Sequence, residues 1–129
     1  TISILNVINF LDLTKWMIES KLQRFGMHPV YHMLNGPPYL NIQHLPTQTK
    51  DMIAEQYLTF FKTIKENYNQ AQSLIPYYTR IIKFMYEKSS DYEQLDKFFE
   101  LMHGLDKSRK QNLFEYLPWL ASVSEIING

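Results

Sequence analysis

The sequence predicts a helix-rich α/β protein: a strand–helix–strand segment over residues 1–46, then three or four α-helices over residues 47–129, together one compact domain. Three observations predict it. Residues 1–7 alternate Ile2 and Ile4 with Ser3 and run straight into a helical pattern, as a strand feeds a βα unit. Met27–Leu34 has two mostly apolar faces, which suits a strand covered on both sides in a parallel sheet. Beyond Pro46, apolar residues recur at steps of three and four in successive stripes. A sheet needs neighbours, and at most one or two further strand candidates are present. The simplest reading is therefore the C-terminal piece of a larger α/β protein, beginning inside a strand.

Taken in order, Asn9 is the expected N-cap of the first helix, with Asp12 in its first turn favourable to the helix dipole. Phe10, Leu13, Trp16 and Met17 fall at helical spacing, and Gly26 stops the helix. A strand–helix–strand unit of this length crosses over right-handed and parallel. Asn35-Gly36-Pro37-Pro38 marks a turn, and Tyr39–Ile42 reads as a short extra strand or an extended loop. Pro46 then leads into a long helix capped by Thr47 or Thr49, with Ile53, Tyr57, Phe60, Phe61, Ile64 and Tyr68 on one face. Residues 67–73 are a polar connection. Pro76 fits the first turn of the next helix, whose stripe is Leu74, Tyr78, Ile81, Ile82 and Met85. Ser90-Asp91-Tyr92-Glu93 is a capping box ahead of Leu95, Phe98, Phe99, Met102 and Leu105, with Gly104 expected to end or bend that helix. Leu113, Tyr116, Leu117 and Leu120 form a last amphipathic stretch broken by Pro118. Stripes of this kind imply a helical layer packed on the sheet or on itself.

Composition narrows the function. At 129 residues and 45% hydrophobic, the chain is long enough to bury a real core. Thirteen basic and thirteen acidic residues cancel, so no overall field points to nucleic acid or to an anionic membrane surface. Nine Tyr, eight Phe and two Trp supply large flat packing surfaces, for an aromatic core or for an interface. The absence of Cys excludes disulfides, thiolate catalysis and thiolate-held zinc or iron–sulfur clusters within these residues, and agrees with a cytoplasmic setting. No apolar stretch approaches the about 20 residues of a membrane span. The first residues lack the basic region of a signal peptide.

The candidates for chemistry are few. His28 and His32 share a face of the second expected strand, with His44 further on. Residues four apart on one face lie about 13 Å apart, too far for a single ion, so these histidines read as structural and no metal is expected. His32, nearer the C-terminal end of that strand, is the one placed for ligand contact. Asn6 and Asn35 end the two expected strands, where parallel α/β folds bind ligands and where an Asn donates and accepts. The competing reading makes them turn residues. Lys107, Arg109 and Lys110 cluster near a helix end, as complements to its dipole rather than a phosphate site. No paired carboxylates, nucleophile elbow or Gly-rich phosphate loop is present, so no catalytic residue is expected.

Two groups of residues carry a resemblance. The first is the order strand, Asn6, helix, then Pro38-Tyr39-Leu40-Asn41-Ile42, Leu45-Pro46 and Lys50. The second is Ile82-Lys83-Phe84-Met85, Phe98-Phe99, Leu105-Asp106-Lys107-x-Arg109 and Leu113-Phe114-x-x-x-Leu117-Pro118. Together they resemble the C-terminal portion of twitch-domain-containing radical SAM proteins of the marine bacterial and phage type, over about residues 1–120. The resemblance implies a partial (β/α) barrel that binds a [4Fe–4S] cluster and S-adenosylmethionine. The cluster is held by a Cys-x-x-x-Cys-x-x-Cys motif in the N-terminal part. This chain has no Cys, so no cluster ligand carries over and no cofactor is expected within it. The resemblance makes Thr1–Val7 and Met27–Leu34 late barrel strands, turns Asn6, His32 and Asn35 toward the cofactor or substrate end, and makes the helices after Pro46 a cap or partner-docking layer. The family's Pro-Glu-Leu ending reads Pro118-Trp119-Leu120 here, a departure that bears on the terminal helix.

Two functions follow as expectations. One is a non-catalytic portion of a radical SAM enzyme, with the missing N-terminal barrel domain as its partner. The other is a stand-alone helical module that binds a partner protein. Unpaired sheet edges predict self-association, as a homodimer. Nucleic acid and membrane are not expected partners.

Overall fold

Ile2 and Ile4 are both buried, yet the stretch that carries them is not a strand. The computed structural model describes residues 1–21, 28–34 and 36–129. In it Ile2 pairs with Met33 in one isolated parallel bridge, its N–H donating to the His32 carbonyl at 2.9 Å. The pairing stops there. The Asn6 Oδ1 accepts from the Ser3 N–H at 2.8 Å, the Ser3 hydroxyl oxygen accepts from the Leu5 N–H at 3.2 Å, and the Val7 N–H reaches the Ser3 carbonyl at 3.0 Å. Short polar side chains thus offer the backbone a turn in place of a ladder, and the turn wins.

The second expected strand is corrected in the same way; Met27 lies outside the described residues. Pro29 interrupts the segment with a residue that has no N–H, a poor component of a central strand. The segment's polar groups find their partners on tyrosines of a helix instead. The Pro29 carbonyl accepts from the Tyr78 hydroxyl at 2.9 Å, and the Tyr31 N–H donates to the Tyr77 oxygen at 3.2 Å. Val30 is 70% exposed, so the face it would share with His28 and His32 is not covered, as a strand buried on both sides requires. Among the described residues the fold is helical, with no sheet. The α/β class, the strand–helix–strand unit over 1–46 and the partial (β/α) barrel with its late barrel strands are all overturned by this finding.

Six α-helices make up the architecture: α1 (Val7–Glu19), α2 (Thr47–Asn67), α3 (Ile75–Tyr86), α4 (Tyr92–Arg109), α5 (Leu113–Tyr116) and α6 (Trp119–Asn128) among the described residues. Short 3-10 turns at Pro38–Leu40, Ile42–His44 and Asn69–Leu74 connect them, the first two standing where an extra strand or loop was expected. In α1 the buried face is Val7, Leu11, Thr14 and Ile18, while Leu13 is exposed and Trp16 is 58% exposed. Thr14 joins an apolar face because its hydroxyl donates to the Phe10 carbonyl at 2.9 Å, leaving no polar group unpartnered. Asn9 lies inside the helix, and Asn6 flanks it.

The later helices follow their stripes closely. In α2, Ile53, Tyr57, Phe60, Phe61 and Ile64 are buried as expected. Neither threonine caps it: Pro46 precedes its first turn, and the Thr49 hydroxyl is buried without a partner. Tyr57 crosses the core to donate its hydroxyl to the Val7 carbonyl at 2.6 Å, tying α2 to the start of α1. In α3, Tyr78, Ile81 and Met85 point inward, with Pro76 in the first turn. Asp91 caps α4 by accepting from the Gln94 N–H at 3.2 Å, one residue later than the expected Ser90, whose hydroxyl instead donates to the Leu45 carbonyl at 2.7 Å. Leu95, Phe98 and Phe99 bury the inner face of α4. The helix runs through Gly104 and closes at Lys110, which takes the left-handed conformation at φ 54°. Pro118 separates α5 from α6.

Candidate functional site

The inner face of α4 is defined by Leu95, Phe98 and Phe99, so at 3.6 residues per turn its outer face centres on Lys97, Glu100 and Gly104. On that outer face lies an apolar opening. A groove of about 550 Å³ runs between the Pro38–Leu40 turn and α4, lined by Tyr39, Lys97, Glu100, Leu101, Gly104 and Leu105. Leu101 is 40% exposed and Leu105 is 36% exposed, although each is large enough to belong in a core. Gly104 stands between them. A glycine inside a helix costs about 1 kcal/mol relative to alanine. A Cβ built at Gly104 would meet nothing within 4 Å among the described residues, so no contact with them requires glycine there.

The residues singled out from the sequence do not converge on a site. Asn6 is occupied at both ends: its Oδ1 accepts from the Ser3 N–H, and its Nδ2 donates to the Thr1 carbonyl at 2.7 Å. It holds a turn, the competing reading given above. His32 has an exposed side chain, and its carbonyl takes part in the bridge with Ile2. Asn35 lies outside the described residues. His28 packs edge-on against Tyr77 and Tyr78 at 5.7 and 6.4 Å between ring centres. The His44 Nδ1 is buried without a partner, and burial holds its imidazole below the ordinary range against the opposing pull of Asp91. Among the described residues no three of His, Cys, Asp or Glu gather to hold a metal ion.

Two further polar features are structural. Lys50 is buried, donates its ammonium to the Lys88 carbonyl at 2.8 Å, and is shifted downward by burial. It clamps the start of α2 to the loop after α3. Tyr86 donates to the Asp51 carboxylate at 2.6 Å beside a shallow depression of about 460 Å³ over the outer face of α2. Burial, with this bond and the Asp51 charge, pushes its phenol up to about 12.

The sequence pattern puts Leu105 in the core stripe of α4 and makes Gly104 an end or a bend, a reading that passes over the groove. The signal was present: Leu101, Gly104 and Leu105 share i, i+3 and i+4 spacing off the Leu95–Phe98–Phe99 face. Tyr39 had no such signal, because only the tertiary fold brings its turn beside α4. Among the described residues, no helix is long and apolar enough to cross a membrane. The chain matches no protein family, no curated protein and no solved structure.

Proposed function

We propose that this chain is a protein-binding module that docks an amphipathic helix of its partner along the outer face of α4. The observation that carries this reading is the pair of half-exposed leucines, Leu101 and Leu105, set around Gly104 and walled by Tyr39. Helix-in-groove recognition uses apolar anchors at i, i+3 and i+4 on one side and an apolar trough on the other. Burying a leucine side chain completely is worth about 1.5–3 kcal/mol, so covering the exposed part of each leucine contributes roughly 1 kcal/mol. Lys97 and Glu100 on the rim set orientation more than affinity. The radical SAM reading loses its architectural basis with the barrel.

The test is a benzoylphenylalanine photo-crosslinker in place of Tyr39, used in the cells the chain comes from, with the same group at exposed Lys65 on α2 as control. Discrete adducts are expected from position 39, and they should disappear when Leu101→Glu and Leu105→Glu are combined in a chain that keeps its helical circular dichroism. Equal adducts from the two positions, or none from position 39, would defeat the reading.

A further inference from the structure

We infer that the helix received by the α4 groove is α4 of a second copy of this chain, running antiparallel about a two-fold axis. This rests on the docking surface proposed above and names its occupant. The homodimer expected from unpaired sheet edges loses that basis, since the described residues form no sheet; a different surface carries it.

Charge selects the occupant. The exposed charges of α4 divide between its halves: Glu93, Asp96 and Glu100, with Lys97, lie toward the N-terminus, while Lys107, Arg109 and the following Lys110 lie at the other end. Such a division complements the dipole of any single helix. It also makes α4 complementary to itself when reversed, because an antiparallel copy brings the acidic half against the basic half.

The position of the side chains around the helix sharpens this. With 3.6 residues per turn, Leu101 and Leu105 fall on one flank of Gly104, whereas Glu93, Asp96, Glu100 and Lys107 fall on the other. A two-fold axis perpendicular to the plane of two antiparallel helices keeps each flank facing its own kind. Leucines therefore meet leucines, and charges meet charges. In the register that sets Leu101 across from Leu105 of the second copy, Glu100 stands across from its Lys107 and Glu93 from its Lys110, each within about one turn. The symmetry repeats every one of these pairs. Glycine at 104 then has a reason: it lies at the centre of the face, where a side chain would hold the two backbones apart, and none of the described residues of its own chain fills the space. An isologous contact of this kind closes on itself and covers both grooves at once.

Sedimentation velocity on the full chain, in a series ending near about 1 mM so that dissociation constants up to the millimolar range are seen, should show a monomer–dimer equilibrium. Raising the salt to about 0.5 M should weaken the dimer, because exposed ion pairs are screened. Gly104→Gln should leave the melting temperature of the dilute chain unchanged or higher and weaken the dimer about tenfold or more. Glu100→Lys and Lys107→Glu should each weaken it, and the two together should restore it, since the swap rebuilds the pair with its signs exchanged. A wild-type chain that stays monomeric throughout, a dimer indifferent to Gly104→Gln, or a double swap without recovery would overturn the inference. The crosslink from position 39 separates this from the parent reading. An adduct of twice the chain mass supports both, and an adduct of another mass overturns the second copy while sparing the docking surface. No adduct overturns both.

Discussion

Side chains that replace backbone partners decide the local structure of this protein. Asn6 and Ser3 close a turn in a stretch whose alternation reads as a strand, and Tyr77 and Tyr78 take up the hydrogen bonds that a neighbouring strand would have offered to residues 29–31. Neither substitution is legible from periodicity, because each depends on a specific hydroxyl or amide arriving at one backbone group. Tyr57 is the clearest long-range case, with a buried hydroxyl on the Val7 carbonyl. Tyr57→Phe should lower unfolding free energy by about 1 kcal/mol, the usual worth of a neutral hydrogen bond, as read from urea denaturation. An unchanged midpoint and slope would show that this bond contributes nothing net.

At the scale of the element, helices after Pro46 were readable and the segments before it were not. The stripes of α2, α3 and α4 hold enough aliphatic and aromatic residues on one face that packing agrees with local pattern. In α1 the visible stripe of Phe10, Leu13, Trp16 and Met17 competes with Val7, Leu11, Thr14 and Ile18, and burial selects the second. A threonine bonded to the carbonyl one turn back passes for an apolar residue, which sequence pattern does not register. Helix α4 gives two predictions. Asp91→Ala, which removes the acceptor of the Gln94 N–H, should destabilise the chain by about 1 kcal/mol. Gly104→Ala, measured by thermal melting on dilute protein, should stabilise α4 by about 0.5–1 kcal/mol, because the new methyl meets only open space. A loss of stability there would mean that the helix needs the glycine for its own packing.

For the molecule as a whole, the aromatic core sets the response to alkali. Burial raises the phenol of Tyr57 far above its ordinary value, and Tyr78 is raised chiefly by burial and then by the neighbouring Tyr77. The sign follows from linkage: a phenol whose pKa is higher folded than unfolded keeps its full contribution below the unfolded value of about 10 and loses it as the pH rises further. These two phenols should therefore leave the unfolding free energy in urea unchanged up to about pH 10 and then lower it by about 1.4 kcal/mol per pH unit each, with the exposed Tyr86 adding to the decline. Combining Tyr57→Phe with Tyr78→Phe should make that decline shallower, and a decline of equal slope in the double variant would assign it to other groups. The sequence alone determined the helical character of residues 47–129, the inward faces of α2 and α3, and the absence of thiolate chemistry, since these depend on residue type and on spacing within one element. Only the tertiary structure decided that residues 1–21 and 28–34 form no sheet, that Asn6 serves a turn, and that Tyr39 joins Leu101 and Leu105 in one groove. Each of those outcomes is a competition between a local pattern and a partner distant in the chain, and the energy that settles it belongs to the pair, not to either segment.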